Sequence, residues 1–400
     1  MKELVENYKI NRLLYSLLSV GTLFIIISSG ISTTLRLLGL LLIISSFAIH
    51  QFSQGVISVH RYILYACISF CLCFVLGIIR TSIISNDYSE IYWLTIFLVL
   101  LLPVLLLIYS SFDNFYLERM IKFISWALIA GFFILFLLLV FLRQSFGAGI
   151  LLFFRNFSGG FYYRPLGSIQ YYPLIWFQAS IFVMPLAIYS LFKKNFILFS
   201  FLCLVVFLSL NRTGSFLIIF TYFISLIKNR KSIARYFLYF IFILPIAFII
   251  GCLIISMMYS TNISVDSGFA IRLGHVISVM EYMKSTGNFF LGMGADSLFV
   301  TIGREGDGIV RNQEISFLEV FRRFGIIGYF LFNFGLFVSL LHFYNRANWG
   351  AFYSLIAYII FSFTNPSLIS IIFVIFYAVI ASTEVKRVYS RNNHNLQSGS

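Results

Sequence analysis

Apolar residues run through this chain in blocks of 15 to 23 residues, broken by short joints that carry the charges. The blocks are apolar all the way round, with neither the one-sided stripe of a surface helix nor the alternation of a half-buried strand. A helix that crosses a bilayer needs about 20 mainly apolar residues. The pattern predicts twelve such helices, at 13–31, 35–51, 62–79, 91–110, 121–142, 171–192, 196–210, 214–228, 236–258, 325–343, 349–364 and 367–382. The expected fold class is all-α: a polytopic integral membrane protein with a large loop between the ninth and tenth helices.

Composition excludes the soluble alternatives that 400 residues would allow. The chain is 60% hydrophobic and 10% charged, with 49 Phe. Residues 1–400 read as a single membrane domain. The first block follows Lys2, Lys9 and Arg12 with no small-residue cleavage site, so it is expected to stay as a helix. The formal net charge of +14 is scattered over the joints, which argues for topology and anchoring and against nucleic acid as a partner. All five cysteines fall inside expected spans, and the cluster Cys67, Cys71 and Cys73 has no His or carboxylate in its helix. Apolar packing is the expected role of these thiols, and neither a metal nor a cofactor is expected.

Threading the spans from a cytoplasmic N-terminus leaves 16 basic and 5 acidic residues inside, against 12 and 9 outside. The positive-inside rule supports that orientation, with both termini cytoplasmic. The outer basic residues are all arginine except Lys284, whereas the inner face carries lysine and arginine equally. Arginine offers a planar fork that grips phosphate bidentately, and lysine a point charge. The outer face therefore reads as one built to hold an anion at the membrane surface.

Two outer loops stand apart in length, at 143–170 and 259–324, and are the expected seats of function. In the first, Arg155 and Arg164 lie among aromatics and glycines in LLFFRNFSGGFYYRPLGS. The readings are an interfacial aromatic belt with snorkelling arginines, or a loop where arginine meets a lipid phosphate. Arg212, in LSLNRTGS, is either a turn arginine reaching the headgroups or one held inside the bundle to face an anion. At the bilayer centre it would cost about 3 kcal/mol or more.

In the second loop, residues 270–284 have helical periodicity, which puts Arg272 and His275 on one face. His275 reads as a polar surface residue or a catalyst. Leu291-Gly292-Met293-Gly294 reads as a tight apolar turn, with no preceding strand to suggest a dinucleotide site. Residues 311–328, RNQEISFLEVFRRFGIIG, predict a helix with Asn312 as N-cap and Glu314 in its first turn. Glu319 is expected to pair with Arg322 and Arg323. Glu314 either complements the helix dipole or acts as a general base kept ionised by Arg311 and its neighbours.

Taken in order, these pieces resemble the O-antigen ligase and polymerase superfamily of bacterial envelope glycosyltransferases. The resemblance is carried by Arg164-Pro165-Leu166-Gly167, by Leu210-Asn211-Arg212-Thr213-Gly214-Ser215, by Arg272 with Leu291-Gly292-Met293-Gly294, and by Glu314 through Gly325-Ile326-Ile327-Gly328. Ligases of this superfamily carry a histidine followed by asparagine eleven residues before the first glycine of the last motif. Glu314 and Ile315 stand there in this chain. That departure is similar to the polymerase branch of Wzy type. The resemblance implies an inner-membrane enzyme, active on its periplasmic face. Its substrates would be undecaprenyl-pyrophosphate-linked glycans, and its other partners membrane lipids. A chain-length regulator protein stands as a further candidate partner. The implied roles are Glu314 as catalytic base, and Arg164, Arg212, Arg272, Arg311 and His275 in binding substrate and pyrophosphate. The rivals are a ligase acting on lipid A core and a lipid-linked oligosaccharide flippase.

Overall fold

A computed structural model describes residues 2–28, 33–54, 59–84, 90–112, 114–141, 161–166, 169–175, 180–209, 211–227, 229–258, 268–295, 297–302, 309–310, 315–363 and 367–383. In chain order the helices are α1 (Lys2–Ser28), α2 (Thr33–Gln54), α3 (Arg61–Ile84), α4 (Glu90–Ser111) and α5 (Asn114–Phe141). The ribbon of β1 (Phe161–Leu166) and β2 (Ile169–Ile175) follows. Next come α6 (Ser180–Phe192), α7 (Phe196–Leu208), α8 (Arg212–Leu226), α9 (Arg230–Met258) and α10 (Gly268–Thr286). A short ribbon of β3 (Phe299–Val300) and β4 (Ile309–Val310) precedes α11 (Ser316–Asn345), α12 (Trp349–Phe361) and α13 (Ile371–Ser382).

The helical class read from the sequence is present, with the two ribbons as additions. Five helices are long and apolar enough to cross a membrane: Arg61–Ile84, Tyr92–Ser111, Asn114–Leu138, Arg230–Met258 and Ser316–Asn345. Seven shorter apolar helices accompany them. Large apolar side chains such as Ile83, Phe242 and Met257 lie exposed. In water such a surface would be a liability, whereas in a bilayer it faces acyl chains.

Short capped turns divide the shorter helices. Asn195, Asn211 and Asn348 accept hydrogen bonds from the amides of Leu198, Gly214 and Ala351, starting α7, α8 and α12. Contacts at one end of the bundle alternate along the chain. His50 Nε2 lies 2.8 Å from the Ser111 carbonyl oxygen, Lys193 pairs with Glu118 at 2.7 Å, and His60 packs on His342 with ring centroids 4.4 Å apart. These contacts run α2 parallel to α4, and set α5 antiparallel to α6 and α3 antiparallel to α11.

Three boundaries depart from the sequence reading. The expected sixth span at 171–192 splits, because Ile169–Ile175 pairs with Phe161–Leu166 and the helix starts only at Ser180. Aromatic and branched residues on both segments favour a strand pair, and Pro173 is tolerated in a ribbon that has only one partner strand. The second departure is at α11, which begins at Ser316 with Ile315 at its N-cap, so its first turn holds Glu319 in place of Glu314. Asn312 and Glu314 lie outside the described residues. The third is Gly325, whose φ of 64° and ψ of −170° break α11 into two helical pieces.

Candidate functional site

The break at Gly325 is where the two loop motifs meet. In an unbroken helix the amides of Ile326 and Ile327 would bond to the carbonyls of Arg322 and Arg323. The turn after α10 separates these partners and bonds to both. Ile326 donates to Phe289 O at 3.0 Å and Ile327 to Phe290 O at 3.3 Å. Met293 donates to Arg322 O at 2.9 Å and Gly294 to Arg323 O at 3.0 Å. The backbone groups freed by the break are thus satisfied within the protein, as a buried site requires. An added Cβ at Gly292, where φ is 75°, would meet the Gly325 nitrogen and the Arg323 carbonyl. Only glycine permits so close an approach.

Side chains fasten the same junction. Glu319, Arg322 and Arg323 are all buried. Arg322 grips Glu319 with a fork, Nε to Oε2 at 3.1 Å and Nη2 to Oε1 at 2.8 Å. Its Nη1 donates to Ser297 O at 2.6 Å and to Ser297 Oγ at 2.7 Å. Arg323 pairs with Glu319 through Nε and donates from Nη1 to Ala295 O at 2.9 Å. The expected pairing of Glu319 with both arginines is present. It holds the loop in place, and so removes Arg322 and Arg323 from the arginines available to a ligand. On α3, Thr81 Oγ1 accepts from Ala295 N at 2.7 Å, and Arg80 donates to Gly292 O at 3.3 Å and to Asn288 Oδ1.

A serine cluster fixes the start of α11 from its other side. Ser316 N donates to Ser362 O at 3.0 Å, while Ser316 Oγ accepts from Ser367 N at 2.7 Å. The Ser362 and Ser367 hydroxyls are 2.8 Å apart. The connection between α12 and α13 is thereby tied to the residue that follows Glu314 and Ile315 in the chain.

The candidate residues fare differently. Helix α10 forms as expected, and Arg272 is half-buried on it. His275 is fully buried, contrary to the surface reading. The segment after β3 covers it, with Thr301 Oγ1 3.1 Å from His275 Nδ1 and Ile302 N donating to Ser278 Oγ at 3.0 Å. Arg212 is exposed in the first turn of α8, as the turn reading expected, behind the Asn211 cap. Arg164 lies on β1 opposite Tyr172. Helix α10 packs on α9 and α11, while α8 packs on α6, α7 and α12, so Arg272 and Arg212 are carried by different parts of the bundle. Arg155, Arg311 and Glu314 lie outside the described residues. Among the described residues no group of three or more His, Cys, Asp or Glu is placed to hold a metal ion. No known protein family, curated protein or solved structure matches the chain.

Sequence reasoning counted Arg80 among the outer arginines without singling it out, and it missed the serine cluster. Arg80 stands at the end of an apolar block, where an arginine is ordinary. The serines of the cluster lie up to 51 residues apart, so no local pattern marks them.

Proposed function

We propose that the chain is a surface-polysaccharide polymerase of the O-antigen type, resident in the bacterial inner membrane. It would join oligosaccharide repeat units carried on undecaprenyl pyrophosphate, on the periplasmic face. In this reading the twelve spans place both termini in the cytoplasm.

One observation carries the reading. Leu291–Gly294 and Gly325–Gly328, separated by thirty residues of loop and helix, interlock through paired backbone hydrogen bonds at one end of the bundle. Short glycine motifs are weak signals apart. Their mutual fit supports treating them as one built site. The segment 311–314 leads directly into the helix that this interlock holds.

The reaction forms a bond between an acceptor sugar hydroxyl oxygen and the anomeric carbon of the donor glycan. The bond from that carbon to the lipid pyrophosphate oxygen breaks, and the electron pair leaves with the pyrophosphate. Glu314 takes the hydroxyl proton. Arg164, Arg212 and Arg272 offset the charge of the leaving group, and Arg311 orients Glu314 or holds the second lipid. His275, buried under the segment after β3, supports the α10 face that carries Arg272.

The test is the surface glycan of cells that lack the gene, complemented with wild-type or Glu314→Gln protein at equal membrane levels. A single repeat on lipid A core, restored to a ladder by wild type alone, is the expected result. Bare core with long glycan held on the carrier lipid would make the protein a ligase. Unlinked repeat units trapped on the cytoplasmic side would make it a flippase.

A further inference from the structure

Helices α7 and α8 form a hairpin between α5 and α9. Trp126 of α5 meets Phe201 of α7 with ring centroids 5.4 Å apart, and Phe220 of α8 meets Phe237 of α9 at 6.3 Å. Leu204, Phe207, Phe216 and Phe223 give the hairpin an exposed apolar face. Both its helices are short. At about 1.5 Å per residue, the 13 residues of α7 and 15 of α8 reach about 20 and 22 Å. The 28 residues of α5 and 29 of α9 reach about 42 and 43 Å. A hydrocarbon core is about 30 Å thick.

At one end the four helices are level. Lys193, just before α7, pairs with Glu118 near the start of α5. Arg230, at the start of α9, lies over the Phe192 ring and donates to Ser225 O near the end of α8. At the other end they are not. Leu208, the last residue of α7, lies seven residues past Phe201 and so level with Phe133, beyond which α5 runs on for eight residues, about 12 Å. Arg212 lies eight residues before Phe220 and so level with Pro245, beyond which α9 runs on for 13 residues, about 20 Å. An ordinary helix tilt of about 20° shortens such heights by only about 6%. Two separate ring contacts therefore set the turn from Ser209 to Arg212 well below the ends of both neighbours. Above that level α5 exposes Ile134 and Leu137, and α9 exposes Ile246, Ile250 and Ile254. At the turn itself Arg212 is exposed.

We propose that the bilayer is locally thinned beside the α7–α8 hairpin: the leaflet on the Arg212 side steps down, bringing headgroups and water to the turn at a level where α5 and α9 still face acyl chains. An arginine ringed by acyl chains is costly, and a bilayer relieves that cost by thinning and admitting water. The hairpin is shorter than the hydrocarbon core by about 8–10 Å. Snorkelling of the Arg212 side chain covers part of that gap, and the leaflet covers the rest. Arg212 is then a turn arginine among headgroups although its backbone lies within the depth of the neighbouring spans. The inference rests on the helices crossing a bilayer and not on the reaction proposed above.

The test compares Thr213→Cys, beside Arg212, with Ile250→Cys, which the α9 level puts about 7 Å further out. Full-length protein in phosphatidylcholine nanodiscs is treated with a charged methanethiosulfonate, which needs a thiolate and hence water. Wild type, with its five native cysteines, sets the background. In dimyristoleoyl lipid Thr213→Cys should label about tenfold faster than Ile250→Cys or more, although it lies deeper. Its rate should fall severalfold from dimyristoleoyl through dioleoyl to dierucoyl lipid, as longer chains thicken the core. An Ile250→Cys rate equal to or above that of Thr213→Cys means a flat surface and overturns the step. So does a Thr213→Cys that labels in no lipid, which means a turn sealed from water. Fast labelling of Thr213→Cys that ignores chain length marks a water-filled cavity walled by protein, and overturns the step as well. Labelling of the buried Cys203 and Cys252 would show that Thr213→Cys had unfolded. Ser215→Cys, half-buried in the same first turn of α8, then takes its place with the same expected order of rates.

Discussion

Replacing Gly325 by alanine probes the junction at its tightest point. The backbone there has φ of 64° and ψ of −170°, a region that is essentially glycine's alone. Forcing an L side chain into it costs about 1–3 kcal/mol. The new Cβ would also meet the Phe290 carbonyl and the Gly292 amide. Both belong to the inserted turn, so the four backbone bonds around the break must shift together. Such overpacking costs about 1–3 kcal/mol more. The total of about 2–6 kcal/mol is a large part of a typical folding free energy of about 5–15 kcal/mol. Gly251 in α9 is the internal control, because nothing lies within 4 Å of an added Cβ there. Gly251→Ala should gain up to about 1 kcal/mol from helix propensity. The assay is the fraction of protein surviving as a monodisperse peak on size exclusion after a heating series in detergent. Gly325→Ala should lose that peak at clearly lower temperature than wild type, and Gly251→Ala at the same or higher temperature. Equal midpoints for Gly325→Ala and Gly251→Ala would refute the interlocked junction.

Glu319→Gln keeps the shape of the side chain but leaves Arg322 and Arg323 buried without a counter-charge, which should cost about 3–5 kcal/mol. The same heating series checks it, and a melt like that of wild type would mean that the backbone acceptors suffice. Topology is tested by single cysteines at Ser158, Ser285 and Ser232 with a membrane-impermeant thiol reagent. Ser285 is exposed, whereas Ser297 is engaged by Arg322 and is unsuited to labelling. The first two should label from the periplasm and the third should not, and the reverse pattern would invert the proposed orientation.

Interlocking the two motifs changes what the arginine excess expected on the outer face means. Arg322 and Arg323 bind glutamate and backbone carbonyls, and they stiffen the loop from within. Arg80 makes two bonds to the same turn. The arginines expected on the outer face therefore divide into those the fold consumes, such as Arg322 and Arg323, and the rest. Composition alone does not make that division.

The helical class was legible in the sequence because it follows from a one-dimensional quantity. A long apolar block in which every backbone group must bond within its own segment has few options besides a helix. The pairing of Glu319 with Arg322 and Arg323 was legible for a similar reason, since residues three and four apart share a helix face. The helix at 268–286 followed from its own periodicity. What tertiary structure decided is of another kind. Residues 171–175 join a strand pair and leave the expected helix because a partner segment is at hand. His275 is buried because the segment after β3, some 26 residues on, covers it. Gly292 reads as an ordinary turn glycine and Gly325 as a residue of an expected helix until their backbones meet. That meeting depends on where α10 and α11 sit, and distance along the chain does not encode it.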